Sequence, residues 1–153
     1  MRRKDKEITS KETIEKIIRS SQICRLGLSD GSQPYIVPLS FGYDNETLFF
    51  HSAREGKKVA FIKKNPHVCF EFEHNTSLVE SDTPCSWGMQ YQSVIGFGEA
   101  EIVEDIDEKK EALGIIMQQY STKKFEFPDA AIQKTFVFKV KINEMTGKQA
   151  KKL

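Results

Sequence analysis

The sequence has few cysteines, no CxxC pair and no long hydrophobic run. Its cysteines are Cys24, Cys69 and Cys85, an odd number at wide spacings, which argues against a disulfide framework and against a zinc knuckle. No apolar run approaches the roughly 20 residues that a membrane-spanning helix needs. The charged start also lacks the apolar stretch of a secretory signal. We therefore expect a cytoplasmic protein whose thiols are reduced.

The chain also lacks a large net charge, since 23 basic and 22 acidic side chains leave a formal charge of +1. It has no general attraction to nucleic acids or to anionic membranes, and we expect neither as a partner. A glycine-rich nucleotide fingerprint is missing as well, since Gly96-Phe97-Gly98 is too weak to count as one. The 153 residues predict one domain over residues 1–153, with residues 1–8 and 147–153 as flexible ends.

Hydrophobic periodicity predicts a mainly β protein with flanking helices. Helices are predicted at residues 9–21, 54–63 and 106–120, and strands at residues 22–28, 34–41, 47–52, 67–73, 90–104 and 134–142. The first helix begins with Thr9 to Glu12, which has the spacing of a capping box. Residues 74–86 are polar and predict a loop. Because few strands are separated by helices of crossover length, we expect antiparallel pairing in a barrel or a sandwich.

Proline and glycine mark two of the predicted strands. Pro38 lies inside the strand at residues 34–41 and has no N–H to give to a sheet. That strand therefore lies at an edge, is bulged, or offers its backbone to something other than a neighbouring strand. Gly96 and Gly98, within residues 90–104, predict a bulge or a close backbone approach.

Residues 50–58 contain the most informative chemical pattern. A strand ends in His51 and Ser52, Gly56 relaxes the turn, and Lys57 and Lys58 stand at the start of a helix. The amides of a helix N-terminus, a hydroxyl and ammonium groups together attract a phosphate. The simpler interpretation is a solvated basic turn, which this stretch alone favours. His51 is equally compatible with a functional and a structural role.

Other reactive side chains carry weaker signals. His67 and Cys69 share a strand face with Glu71 and Glu73, which indicates the polar face of an amphipathic strand rather than a metal site. We predict no metal. Cys85 has no base among its sequence neighbours, so it does not resemble a nucleophile.

An aromatic cluster follows Cys85. Trp87, Tyr91 and Phe97 are more typical of a core or of a dimer contact than of a stacking platform. A ring from this cluster near the edge of a bound ligand is the alternative.

The chain resembles the pyridoxamine 5′-phosphate oxidase-like flavoproteins, most closely their 5-nitroimidazole-resistance branch. The resemblance covers roughly residues 1–146. Its motifs are MRRKDKEIT (1–9), PYIVPLSFGY (34–43), FFHSAREGKK (49–58), NPHVCFEFE (65–73), PCSWGMQYQSVIGFGEAEIV (84–103) and a closing strand with Glu144 and Gly147. Each motif alone is modestly specific, whereas their order and spacing together are strong.

The resemblance implies a six-stranded antiparallel split barrel with flanking helices. Such proteins form homodimers that hold two FMN molecules in clefts between the subunits. It implies that residues 36–41 run along the flavin ring, that the turn after residue 50 holds the phosphate, and that Ser93 contacts the flavin from the other subunit. The implied cofactor-binding residues are Ile36, Val37, Pro38, Leu39, Ser40, His51, Ser52, Ala53, Lys57, Lys58 and Ser93.

The sequence departs from the true oxidases at three points. They have an arginine where this chain has Ile36, a glutamine where it has Ser93, and a C-terminal extension that it lacks. We therefore do not expect oxidation of pyridoxamine phosphate. We expect Ser52 and Lys57 to take over part of the phosphate binding that this arginine provides in the oxidases.

These features together predict an FMN-dependent reductase. It would take electrons from NAD(P)H or another reductant and pass them to a small organic acceptor, with nitroaromatic compounds as one class. His51 is the candidate catalytic residue, as a hydrogen-bond partner or proton donor. The alternatives are a non-catalytic flavin- or haem-binding module and a structural dimer whose cleft has lost its ligand.

Overall fold

A computed structural model describes residues 3–150 of the chain. Short 3₁₀ helices lie at Lys4–Lys6 and Pro84–Ser86. In chain order the other elements are β1 (Glu7–Ile8), α1 (Lys11–Ser20), β2 (Cys24–Ser29), β3 (Pro34–Leu39), β4 (Gly42–Asp44), β5 (Thr47–Ser52), α2 (Lys57–Lys64), β6 (His67–Val79), β7 (Gly88–Val103), α3 (Ile106–Tyr120), α4 (Asp129–Gln133) and β8 (Phe136–Ala150).

One antiparallel sheet contains all the strands of the described residues. Its order is β3-β2-β6-β7-β8-β5-β4, and β1 adds to β8. The two ends of this path, β3 and β4, do not pair, so the barrel that the sheet forms has an open seam. The predicted antiparallel split barrel with flanking helices is confirmed. Six strands have six or more residues, while β1 and β4 are short additions.

Alternating strand residues build the core, because successive side chains of a strand point to opposite faces. Leu26 of β2 and Phe70 of β6 are paired across the sheet and both are buried. The Phe50 and Phe138 rings stack with centroids 5.0 Å apart. Complete burial of one such side chain stabilises the fold by about 1.5–3 kcal/mol. The largest buried rings are Phe41, Phe50, Phe70, Phe72 and Phe138.

Helix α1 begins at Lys11, one residue later than the predicted N-cap at Thr9 would place it. Ser10 is the N-cap, and its side chain accepts a hydrogen bond from the Thr13 amide at 3.2 Å. The predicted capping box is therefore wrong, because Thr13 and not Glu12 stands three residues after the cap. The apolar stripe is as predicted, with Ile14, Ile17 and Ile18 buried.

The long strands extend beyond their predicted ends. β6 continues through the predicted loop to Val79, with a register shift between His74 and Ser77, and Asn75 there has a φ of 55°. In β7 the register with β8 shifts between Phe97 and Gly98, which confirms the predicted bulge. A Cβ at Gly96 would overlap the Phe70 ring, so this glycine also permits the predicted close approach.

The two chain ends are also paired where the structure describes them. Glu7 pairs with Lys148 and Ile8 with Gly147, so part of each segment expected to be flexible is a strand. Residues 1–2 and 151–153 lie outside the described residues. Among residues 3–150, no helix is long and apolar enough to cross a membrane.

Candidate functional site

The turn between β5 and α2 lies across the open seam from β3. Lys57 Nζ donates a hydrogen bond to Gln33 Oε1 at 3.3 Å and lies 5.0 Å from the centroid of the Tyr35 ring. The Tyr35 ring meets the Phe61 ring of α2 edge to face, with centroids 5.6 Å apart. These contacts bring β3 and the turn together, although four strands separate β3 from β5 along the sheet.

The first turn of α2 is open to an acceptor from outside the helix. Its N-cap is Gly56, at a φ of 126°, so no side-chain oxygen caps the helix. The first amides of a helix have no intrahelical partner and form the positive end of the helix dipole. The geometry therefore suits an anion such as a phosphate group.

Lys58 adds an uncompensated charge to this helix turn. Its side chain is half-buried, and burial lowers the pKa of its ammonium group. No acidic side chain of residues 3–150 forms an ion pair with it. A partly desolvated charge without a partner costs free energy, so an anion bound here would be stabilised.

His51 is close enough to Lys58 to respond to its charge. The side chain is exposed on the sheet surface, yet neighbouring protein atoms desolvate part of the ring. This desolvation first, and the positive charge of Lys58 second, lower the pKa of His51 below its usual value. The imidazole is therefore neutral at pH 7, with one nitrogen that donates and one that accepts.

Ser52 and Ala53 begin the turn. Ser52 Oγ donates a hydrogen bond to the Ala53 carbonyl oxygen at 2.9 Å, so the hydroxyl proton is used within the turn. A contact from this hydroxyl to a phosphate oxygen therefore requires it to rotate. Ala53 is exposed beside it.

The five candidate cofactor-binding residues at positions 36–40 alternate between the outer and inner faces of the sheet. Ile36, Pro38 and Ser40 are exposed, whereas Val37 and Leu39 pack against the core. Val37 and Leu39 can therefore offer only backbone atoms to a cofactor at the surface. Within the described chain β3 pairs with β2 alone, so the other edge of its backbone is free. The predicted edge position of Pro38 is thereby confirmed.

Ser93 lies apart from the other candidate residues within one chain. It is on β7, paired with Glu73 of β6 and Lys148 of β8. Three strand spacings, on the order of 14 Å, separate β7 from β3 along the sheet. Ser52, at the turn, pairs with Phe136 of β8, whereas Ser93 pairs with Lys148 near the other end of that strand, so one chain does not bring Ser93 to the turn either.

The outer face of the sheet has an exposed apolar patch, which we define as Ile36, Ile95 and Phe97. Ile36 pairs with Gly27, Gly27 with Cys69, and Cys69 with Phe97, which places Ile36 and Phe97 in one row across four strands. Ile95 lies on the same face of β7, two residues before Phe97. The exposed fractions are 69% for Ile36, 48% for Ile95 and 50% for Phe97. Exposed apolar surface of this kind marks an interaction site.

The polar face of β6 has local partners. Arg25 Nη1 donates to Glu71 Oε2 at 2.9 Å, and His67 Nδ1 lies 3.7 Å from Glu99 Oε1. Among the residues that the structure describes, no three or more metal-ligating side chains converge. The alternation of β6 agrees with an amphipathic strand, since Cys69 is exposed between buried neighbours.

The aromatic cluster is not part of the core. Trp87 is 49% exposed, and its indole N–H donates to the Ser81 carbonyl oxygen at 2.6 Å. Tyr91 is half-buried, and Cys85 is exposed. Of the three roles considered for this cluster, a core position is therefore excluded for Trp87 and Phe97.

Sequence patterns did not reveal two residues next to the turn or one contact of the turn itself. Gln33 and Tyr35 contact Lys57 across the seam, and Arg54 Nη1, within the turn, donates to the Gln133 carbonyl oxygen at 3.2 Å. Each contact joins segments that are far apart along the chain. No local periodicity carries such a signal.

Comparison with known proteins assigns the chain to a family. The family model described as Pyridoxamine 5′-phosphate oxidase matches residues 10–149. The chain belongs to this family. A search of the curated proteins finds no match.

Solved structures of similar proteins support this family assignment. A protein described as a 5-nitroimidazole antibiotic resistance protein, from Bacteroides thetaiotaomicron, is 39% identical over 94% of this chain and 86% of its own, with a TM-score of 0.85. The flavocytochrome Anf3 from Azotobacter vinelandii is 18% identical over 99% of this chain and 72% of its own, with a TM-score of 0.87. The FAD and heme binding protein from Mycobacterium smegmatis is 15% identical over 96% and 74%, with a TM-score of 0.86. The last two show a shared fold.

The residues of the turn fit the phosphate end of a flavin, the cofactor that this family binds. The open amides of α2, the unpaired Lys58 and the nearby Lys57 supply hydrogen-bond donors and positive charge. Ile36 is exposed and apolar, so it supplies no charge to that phosphate. Positive charge at the site therefore comes from the turn rather than from β3.

Proposed function

We propose that this protein binds FMN at the Ser52–Lys58 turn and the free edge of β3, and that it is an FMN-dependent reductase. Reduced nicotinamide is the proposed electron donor, and a small oxidised organic compound is the proposed acceptor. The observation that carries the proposal is the half-buried, unpaired Lys58 at the open end of α2. A phosphate dianion supplies the negative charge that this position lacks.

The residues of the turn bind and orient the cofactor. Lys58 neutralises the phosphate as a point charge. Lys57 can also bind the phosphate once its hydrogen bond to Gln33 Oε1 breaks. The first amides of α2 donate to phosphate oxygens. The free edge of β3, with Pro38 in its middle, contacts the ring through its remaining amides and carbonyl oxygens. When bound, the flavin supplies the transfer of electrons between donor and acceptor.

His51 is proposed to hold and deliver a proton. Reduction of a nitro group to a nitroso group takes up two electrons and two protons and releases water, so a nearby proton donor assists. The imidazole of the free protein is neutral at pH 7 because its pKa is lowered. A phosphate dianion next to Lys58 opposes that ammonium charge and raises the pKa of His51. Bound cofactor thus raises the fraction of His51 that carries a proton to deliver.

A homodimer is part of the proposal. The apolar patch of Ile36, Ile95 and Phe97 is exposed on the same face as the outward residues of β3. A second copy that covers this patch removes apolar surface from water. Such an arrangement also brings a partner's Ser93 strand to the cofactor, which one chain alone does not do.

The class of acceptor is proposed from a relative. The protein from Bacteroides thetaiotaomicron is named for resistance to 5-nitroimidazole antibiotics, so nitroimidazoles are the first acceptors to test. Flavin and haem occur in the names of proteins that share the fold. The test therefore distinguishes a catalytic flavoprotein from a flavin- or haem-binding module.

The test is a turnover assay of the FMN-loaded protein with NADPH or NADH. Nitroimidazole, quinone and free flavin are offered as acceptors, and oxidation of the nicotinamide is followed by absorbance. The proposal expects donor oxidation that depends on both acceptor and protein, and that falls in a His51→Gln variant that still binds FMN. FMN binding without oxidation of NADPH or NADH would contradict the proposed reductase activity and would favour a non-catalytic flavin-binding module. A strong haem band in place of the flavin bands would contradict both.

A further inference from the structure

A cavity of about 560 Å³ lies beside the phosphate-binding turn. Arg54 and Glu55, between Ser52 and Lys58 in the turn, form one wall of it. The other walls come from α2, the end of β7, the first turn of α3 and the start of β8. Phe136 of β8 lines the cavity and pairs with Ser52. The cavity therefore begins next to the position proposed for the flavin phosphate.

Three cations line the cavity without acidic partners. Arg54 Nη1 donates to the Gln133 carbonyl oxygen at 3.2 Å, and Lys109 Nζ donates to the Thr135 carbonyl oxygen at 3.1 Å. These bonds hold both side chains at the wall. Within residues 3–150, neither they nor Lys63 form an ion pair. All three retain N–H donors for a ligand, since guanidinium has five and ammonium three.

Two carboxylates and an apolar floor complete the lining. Glu55 and Glu104 form no ion pair among the described residues, and a carboxylate accepts hydrogen bonds from hydroxyl and amino groups. Val103 and Phe136 are buried and form the floor. The cations outnumber the carboxylates, so the lining is positive. A ligand that matches it combines a phosphate, hydroxyl or amino donors and an apolar ring, as a phosphorylated nucleoside does.

The cavity also lies on the path of a dinucleotide that reaches the flavin ring. The proposed electron donor places its nicotinamide on that ring, along the free edge of β3. Lys57 bridges the seam from the turn to Gln33, just before β3, and Arg54 of the same turn lines the cavity. A donor that extends from β3 past the turn therefore brings its adenosine ribose to the cavity.

We propose that this cavity binds the 2′-phosphate of NADPH and makes NADPH, rather than NADH, the electron donor. The two donors carry the same nicotinamide and differ only in that phosphate, so the groups that bind it decide between them. Basic side chains accommodate such a phosphate, and Arg54, Lys63 and Lys109 supply them. The carboxylates accept from the remaining ribose hydroxyl and the adenine amino group, and the apolar floor contacts the base.

The size of the cavity agrees with this ligand. Its volume lies within the range of about 300–1,000 Å³ for small-molecule sites. The inference rests on the proposed reductase function, because it names which of two donors that reductase uses. It is therefore tested by binding as well as by turnover.

The binding test is titration calorimetry of the FMN-loaded protein with adenosine 2′,5′-bisphosphate, which carries the 2′-phosphate but no nicotinamide. It should bind about tenfold or more tightly than adenosine 5′-monophosphate, because the second phosphate adds charge-assisted hydrogen bonds. Lys63→Glu should remove this preference, and Lys109→Gln should reduce it. Lys16→Glu makes the same charge change at an exposed position on α1 and should leave the preference as in the wild type.

The turnover test compares kcat/KM for NADPH and NADH in the same proteins. The wild type should favour NADPH by about tenfold or more. Lys63→Glu should raise the KM for NADPH with little change in kcat, since the contact is lost equally from the ground state and the transition state. Its kcat/KM for NADH should not fall, which also shows that the variant is folded and holds FMN.

The two tests separate the inference from the proposed function. Equal affinity for the two adenosine phosphates in the wild type, or a preference that Lys63→Glu leaves unchanged, would overturn the inference. Oxidation of NADPH and NADH with equal kcat/KM would also overturn it while the reductase stands. If the bisphosphate binds as expected but neither donor is oxidised, the reductase is contradicted and NADPH is not its donor.

Discussion

Lys58 and His51 are electrostatically coupled across the turn that joins β5 to α2. Partial burial lowers the pKa of the His51 imidazole, and the Lys58 ammonium lowers it further. Burial also lowers the pKa of Lys58 itself. Both groups are therefore partly desolvated, and no acidic side chain of the described residues forms an ion pair with Lys58. An anion at this position opposes both shifts, because a nearby negative charge favours the charged form of each group.

Replacement of Lys58 by glutamine should raise the pKa of His51. The increase should be partial, because burial is the larger cause and persists in the variant. Imidazole shifts in an NMR titration measure this pKa in both proteins. Inorganic phosphate should raise it in the wild type and should have a smaller effect in the variant. An unchanged His51 pKa in Lys58→Gln would show that the two groups are not coupled.

The same lowered pKa predicts how His51 affects stability against pH. The unfolded chain protonates this histidine near pH 6.5, whereas the folded protein resists protonation until a lower pH. The stability contribution is therefore present above about pH 6.5 and is lost as pH falls through and below that value. A His51→Gln variant should lose less stability than the wild type between about pH 7 and pH 5. Urea denaturation at several pH values checks this, and parallel curves for the two proteins would contradict it.

Gly56→Ala should strain the turn. Its φ of 126° lies where L-residues are rarely found, and left-handed backbone costs about 1–2 kcal/mol for a residue with a Cβ. We expect a loss of that size in the free energy of unfolding, measured with urea. Gly88→Ala is the control, because a Cβ there meets nothing within 4 Å and should change stability by less than about 0.5 kcal/mol. Equal effects of the two substitutions would refute the role of the backbone angle.

Phe97→Asp should dissociate the proposed dimer. The ring is 50% exposed within the apolar patch, and a carboxylate in a covered apolar contact lacks a partner. Light scattering coupled to gel filtration should report a dimer for the wild type and a monomer for the variant. Phe125→Asp, at an equally apolar exposed position outside the patch, should remain a dimer. A wild-type protein that is monomeric would contradict this part of the account.

Tyr120→Phe should destabilise the fold through two lost hydrogen bonds. The Tyr120 hydroxyl accepts from the Phe41 amide at 2.9 Å and donates to the Gln22 carbonyl oxygen at 2.8 Å. Leaving a buried amide unsatisfied costs about 1–3 kcal/mol. Thermal or urea unfolding measures the loss. Tyr91→Phe, whose hydroxyl forms no hydrogen bond among the described residues, should have a smaller effect, and a reversed order would count against this assignment.

Much of the fold could be predicted because burial follows simple periods. The alternation around Leu26 and Phe70 places both in the core, and the pattern over residues 106–120 has the bounds of α3. The short β4 escaped prediction although it forms a hairpin with β5. The turn at residues 44–46 is predicted from its polar residues and is confirmed, with Asn45 and Glu46 at positive φ, but the three residues of β4 are too few to show a period.

Less of the candidate site could be predicted, because its geometry depends on distant segments. The residues of the turn are visible as a local pattern, and so is the edge position of Pro38. The hydrogen bond between Lys57 of α2 and Gln33, just before β3, bridges the open seam of the barrel. No spacing in the sequence indicates that these ends meet. The patch formed by Ile36, Ile95 and Phe97 likewise exists only once the strand register is known.

The central claim is that Lys58 binds the phosphate of a flavin, and titration with FMN tests it most directly. Wild-type protein and Lys16→Gln, an exposed lysine of α1 that forms no ion pair in the described chain, should bind about one FMN per subunit with equal affinity. Lys58→Gln should bind FMN about 10- to 100-fold more weakly, because a charge-assisted hydrogen bond contributes about 1.5–3 kcal/mol. Equal FMN affinity of Lys58→Gln and the wild type would contradict the account.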